Sequence, residues 1–213
     1  MGYNRLMNIE RIICGSLEAN CYIIYRKPGG AGFIIDPGYD IERTQGFVKA
    51  HGLGVKNVLL THAHPDHCGK AAALADYYGV EVLAHIEELD HYMGKTKADK
   101  LFGNNVDRLF TGGEKIDLDG ETIDVLHTPG HTAGGLCYYS EKSRVAFTGD
   151  TIFNVDLGYT HFAGGSAERM KNSLKTVVDK WQNDVTIYPG HGDPATMKYV
   201  REVNSEFLDM IAS

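Results

Sequence analysis

The chain has 213 residues, enough to bury a sizeable core and, at about 150 residues per domain, to form one domain spanning 1–213. Its 43% hydrophobic and 23% charged residues are those of a soluble globular protein, and no apolar run nears the ~20 residues of a membrane span, so no membrane partner is expected. A net charge of −7, with acids scattered and no Lys/Arg run to follow a phosphate backbone, argues against nucleic acid as a partner.

In chain order, Met1–Met7 lacks an apolar stretch of signal-peptide length. Cys14, Cys21, Cys68 and Cys137 lie far apart with no Cys-x-x-Cys spacing. Both features predict a cytoplasmic protein with buried thiols. Residues 18–26 and 32–36 read as strands around the turn Lys27-Pro28-Gly29-Gly30, and Ile41, Thr44 and Val48 recur at helical spacing up to Gly52. Residues 55–60 form a strand, 69–78 a helix and 80–84 another strand, the alternation of an α/β layered fold. Residues 87–111 are charged and Gly-interrupted, a short helix or an insert beside the site. Two hairpins follow, 116–125 around Asp119-Gly120 and 136–148 around residues 140–143. Residues 167–181 form a helix with Met170, Leu174, Val178 and Trp181 in the core, 184–188 a strand, and 196–211 a closing helix. A mixed sheet system with helices on its outer faces accommodates this order.

The stretch Thr61-His62-Ala63-His64-Pro65-Asp66-His67 places four metal-ligating groups on one turn after an apolar strand. Three further groups end apolar strands beside glycine or proline: His131 in Pro129-Gly130-His131-Thr132, Asp150 in Thr148-Gly149-Asp150-Thr151, and His191 in Pro189-Gly190-His191-Gly192. Loops at the carboxyl ends of α/β strands gather in one crevice, which gives these distant segments a route to a single site. His62, His64, Asp66, His67, His131, Asp150 and His191 are seven ligands, too many for one tetrahedral ion and suited to two sharing a carboxylate. The expected chemistry is hydrolysis of a small-molecule substrate by a hydroxide between two divalent ions, zinc first and iron or manganese as alternatives.

These motifs, in this order across the whole chain, resemble the metallo-β-lactamase-fold hydrolases, and most of all their glyoxalase II (hydroxyacylglutathione hydrolase) branch. Asn20-Cys21-Tyr22 and Asp36-Pro37-Gly38 also match the family pattern. The resemblance implies a four-layer αβ/βα sandwich, one metal on His62, His64 and His131, another on Asp66, His67 and His191, and Asp150 bridging. It implies thioester hydrolysis, in which Asp66 is expected to act as both ligand and orienter. The branch's glutathione-holding helical extension has no counterpart after the single helix following His191, so glutathione recognition is not implied. Where the branch has Gly-Arg-x-Asp, this chain has Gly158-Tyr159-Thr160-His161, which exchanges a fixed charge of each sign for a phenol and an imidazole. Asp150 argues against the β-lactamases themselves, which lack an aspartate there. A mono-iron persulfide dioxygenase of the same fold and a metal-binding module without turnover are the alternatives.

Tyr159 is a candidate donor to an oxyanion and His161 a candidate proton donor. Asp36 is expected to orient a ligand histidine, and Cys68 to be a packed thiol. His51 is expected at a helix C-terminus, His127 near the ligands or at the surface, and His85 and His91 on an exposed helix.

Overall fold

The computed structural model describes residues 6–88 and 108–213. His91 and most of the insert expected at 87–111 lie outside them.

Among the described residues two six-stranded sheets face each other. The first runs β1 (Asn8–Cys14), β2 (Ala19–Tyr25), β3 (Ala31–Ile35), β4 (Gly54–Leu59), β5 (Glu81–His85) and β6 (Arg108–Phe110), antiparallel through β3 and parallel from β3 onward. Helices α1 (Ile41–His51), α2 (Pro65–Cys68) and α3 (Ala71–Tyr78) belong to its crossovers. The second is ordered β12 (Ala195–Thr196), β11 (Thr186–Pro189), β10 (Val145–Gly149), β9 (Leu136–Ser140), β8 (Glu121–His127) and β7 (Lys115–Leu118), with β10 and β11 the parallel pair. Helices α4 (Ala167–Thr176), α5 (Met197–Val203) and α6 (Ser205–Ala212) complete this half.

Strand parity explains the layers. On β2, Tyr22 and Ile24 face the second sheet and pack with Phe33, Leu59, Val125, Tyr138 and Phe147. Cys21, Ile23 and Tyr25 point the other way, onto Val48 of α1 and Leu74 of α3. Both faces of the strand are therefore buried, which is why it reads as an unbroken apolar run. Cys137, Ala146 and Ile187 on the outer face of the second sheet meet Met170, Leu174, Met197, Val200 and Phe207. The result is the expected αβ/βα sandwich.

Two expected helices are divided. The helix from 167 stops at Val177, and a 3-10 turn, Val178–Lys180, delivers Trp181 onto the ring of Tyr139 at 5.7 Å. The C-terminal helix breaks at Asn204, whose Oδ1 accepts the Phe207 N–H at 2.9 Å and caps α6. Its amide nitrogen donates to the carbonyls of Phe153 (3.2 Å) and Asp156 (2.9 Å), so the break also anchors a loop of the site described below. Asn204→Ala is expected to cost about 2 kcal/mol, one cap and two weakened carbonyl contacts, visible as a fall in Tm of roughly 6 °C. No helix among the described residues is long and apolar enough to cross a membrane.

Candidate metal centre

The parallel segments of both sheets, β3–β4 and β10–β11, end at the same edge of the sandwich. β3 runs into Asp36, β4 into Thr61 to His67, β10 into Asp150 and β11 into His191, while the loop after β8 brings His131. Asn20 secures the loop that carries His191 from the opposite sheet. Its side chain donates to the carbonyls of Pro189 (2.9 Å) and Gly192 (2.8 Å), and the Tyr22 hydroxyl donates to Pro189 O at 2.6 Å. Gly190 is required by close approach, since a Cβ there would lie 2.1 Å from Asp150 Oδ1 and 2.8 Å from His67 Cε1.

All seven candidate ligands meet. His62, His64, His131 and Asp150 each offer an atom within 4.8 Å of the others, and Asp66, His67 and His191 form a second such group. His64 Nδ1 is 3.1 Å from His62 Nε2 and 2.9 Å from His131 Nε2; His67 Nε2 is 3.2 Å from His191 Nε2. Nitrogens about 2.0–2.1 Å from a tetrahedral zinc sit roughly 3.3 Å apart, so this spacing fits an ion between them. Asp150 lies between the groups, its Oδ2 3.4 Å from His131 Nε2 and its Oδ1 3.5 Å from His67 Nε2. That buried Oδ1 has no hydrogen-bond partner among the described residues, an acceptor left for a cation.

The imidazoles are oriented from behind. His67 Nδ1 donates to Asp36 Oδ2 (3.2 Å), His131 Nδ1 to the Tyr159 carbonyl (2.7 Å) and His191 Nδ1 to the Leu17 carbonyl (3.0 Å). The Thr61 hydroxyl donates to Asp36 Oδ2 at 2.6 Å and therefore accepts from His62 Nδ1 at 3.0 Å. Asp36 thus steers one histidine of each group, as expected of it. In four rings Nδ1 donates outward, which leaves Nε2 as the inward atom open to a metal once it carries no proton, while His64 presents Nδ1.

The two groups differ in charge. Burial, then the neighbouring imidazoles, holds His62 well below the usual histidine range, and burial with His131 takes His64 to about 4. Both are neutral and ligand-ready at pH 7. Burial also pulls His67 down, but the carboxylates of Asp150, Asp36 and Asp66 outweigh it and lift His67 to about 9. For Asp66 burial acts upward and is overcome by the His191 hydrogen bond and the His67 charge, which hold it at about 2.

The cluster opens on a cavity of about 640 Å³. Tyr159 lines it and is 69% exposed, and its observed hold on the cluster is its carbonyl, on His131. His161 is exposed, does not line the cavity, and touches the Tyr159 ring at 5.7 Å between centroids. Cys68 is packed, its thiol pushed up to about 12 by burial, and donates to Ala63 O. His51 ends α1 and His127 is half-buried, donating to Ala133 O at 3.0 Å.

His85 departs from expectation. It closes β5 rather than riding on an exposed helix, is only 2% exposed, and stacks on His127 at 3.9 Å. The ladder to β6 and the His127 ring cover it, and its Nδ1 accepts the Glu87 N–H. Glu88 is the residue that sequence reading passed over. Also 2% exposed, it accepts the N–H of Ala63, between His62 and His64, and that of Gly134, three residues past His131, each at 2.8 Å. In the sequence it is one of two adjacent acids, a pattern typical of solvated surfaces, and nothing there marks it.

A double-sheet sandwich with imidazoles and carboxylates converging at one edge defines a metal-binding α/β protein with the ligand set of a hydrolase. The family model for the metallo-beta-lactamase superfamily matches residues 15–191, and the chain belongs to that superfamily, most of whose members are hydrolytic metalloenzymes. Hydroxyacylglutathione hydrolase GloC of Haemophilus influenzae is 34% identical over 207 residues, covering 93% of this chain and 97% of the relative. The solved structure of BLEG-1 B3 metallo-beta-lactamase superposes with a TM-score of 0.81 at 28% identity, covering 92% and 98% of the two chains. That of TTHA1623 in a di-iron-bound form gives 0.77 at 27%, with the same coverage.

Proposed function

We propose that the protein is a cytoplasmic hydrolase of a small thioester or related acyl substrate, with two divalent ions, zinc first among them. His62, His64 and His131 hold one ion, Asp66, His67 and His191 the other, and Asp150 serves both. The observation that carries this reading is Asp150 itself, within 3.7 Å of a histidine of each group and with an oxygen left unused. The GloC likeness supports the thioester class, and four free, buried cysteines suit a reducing compartment.

When bound, an ion pair lowers the pKa of coordinated water toward about 7 and polarises an acyl carbonyl. The chain's own residues prepare for that chemistry. Asp36, Leu17 O and Tyr159 O fix the rings, so that binding reorganises little. Asp66 stays a carboxylate across neutral pH and keeps an acceptor oxygen 3.3 Å from His191 Nε2. Hydrolysis adds water across the C–S bond and yields an acid and a thiol, and no side chain is needed as nucleophile.

Protein purified without added metal should carry two equivalents of zinc and hydrolyse thioesters in preference to lactones and phosphodiesters. One equivalent of iron, with oxygen uptake on a persulfide, would replace this reading by the oxygenase, and full folding with no turnover on any of these substrates by a metal-binding module.

Loading is expected to depend on pH. His67 is protonated in the metal-free protein below about 9, and a ligand nitrogen must be neutral, so at pH 7 zinc displaces close to one proton from His67. Apparent affinity therefore rises with pH until about 9. Calorimetric titrations in buffers of different ionisation heat should show this proton at pH 7 and its loss near pH 10.

A further inference from the structure

We infer that the substrate reaches the metal centre on uncharged, apolar arms and is a thioester of a neutral thiol rather than of an anionic one such as glutathione. This rests on the thioester reading above and concerns what flanks the reacting bond.

An aromatic ring stands at each end of the cleft. Phe162 meets His64 and His131 edge-on, at 5.5 and 6.1 Å between ring centroids, and Phe153 meets His191 at 6.1 Å. Leu17, Val155 and Tyr159 continue this lining outward, all exposed, and Phe162 is itself 50% exposed. Exposed apolar side chains scattered singly are ordinary, but four such residues and the half-buried Phe153 converge on one concave site. An apolar arm covering them would be removed from water together with them.

The charges point the same way. Apart from the candidate ligands Asp66 and Asp150, the charged side chain lining the cavity is Asp156, and no Lys or Arg lines it among the described residues. Arg11 reaches the rim at Gly192 O but is paired there with Asp193 at 2.9 Å. A carboxylate on either arm would lose water against aromatic rings, with no Lys or Arg of the described residues to receive it and Asp156 to repel it. Glutathione brings two carboxylates.

The test uses the metal-loaded protein and two thioesters sharing a phenylacetyl group, one on glutathione and one on N-acetylcysteamine. Binding of S-benzylglutathione and S-benzyl-N-acetylcysteamine is measured in parallel by calorimetry. The expected result is a kcat/KM at least tenfold higher for the N-acetylcysteamine thioester, with tighter binding of its thioether. Phe162→Arg, at a half-exposed position outside the core clusters, should shrink that ratio at least fivefold by improving the glutathione series, whereas Phe162→Leu should keep it. Equal or better use of the glutathione thioester overturns the inference, as does a ratio indifferent to Phe162→Arg. If neither thioester is hydrolysed, the thioester reading fails by itself. The thioether affinities then still decide about the cleft: tighter binding of the neutral compound upholds the apolar arm, and tighter binding of the glutathione compound removes it.

Discussion

Asp150→Ala is expected to leave a folded protein that holds at most one equivalent of metal and turns over thioesters ~10³-fold or more slowly, a loss of about 4 kcal/mol in transition-state stabilisation. The side chain belongs to none of the hydrophobic clusters, so removing it creates no apolar cavity. What it removes is the carboxylate common to both groups of imidazoles. His67 then loses the strongest of the charges that hold it protonated, so its titration should fall toward the ordinary histidine range while the far-UV spectrum stays unchanged. Asp150→Asn keeps the shape and one carbonyl oxygen but not the charge, and should fall between the wild type and the alanine variant in metal content. Elemental analysis beside activity decides the matter. Retention of two metals with full turnover would mean that Asp150 is not shared, and an unfolded variant would make the site a structural one.

The legible part of this molecule is the part written in local chemistry. His62, His64, Asp66 and His67 are adjacent in sequence because one turn carries them, and His131, Asp150 and His191 each follow an apolar strand whose carboxyl end faces the same edge. Periodicity located the strands because parity with two buried faces leaves unbroken apolar runs, as on β2 and β3. Less visible was anything decided by a partner distant in sequence. The break at Asn204 is made by carbonyls roughly fifty residues away, at Phe153 and Asp156, and a helical period cannot announce it. The nearby acids Glu87-Glu88 suggest an exposed His85, whereas the strand it closes and the His127 ring bury it. The sequence offers the Tyr159 hydroxyl as a donor, whereas the group that orients His131 is the Tyr159 carbonyl.

Glu88 is the extreme case of that dependence, and its removal carries the second large effect. Its carboxylate crosses 25 residues in one direction and 46 in the other to take the N–H groups of Ala63 and Gly134. Burial raises its pKa, and the neighbouring Thr132 hydroxyl, the two backbone donors and the His131 charge oppose that rise, so the group is held chiefly by hydrogen-bond donors. In Glu88→Ala two buried N–H groups lose their acceptor at about 1–3 kcal/mol each, an expected total near 4 kcal/mol. The loops freed are those carrying His62, His64 and His131, so metal affinity should drop by roughly 10–100-fold as well. Glu88→Gln keeps one acceptor oxygen but sets an amide N–H against the second backbone donor, and should lose about as much stability while filling the space. A chelator competition and a denaturant titration on the same samples separate the two consequences. If affinity is unchanged while stability falls, Glu88 only braces the sandwich; if both fall together, the ligand geometry on β4 and after β8 depends on a residue that never touches the metal.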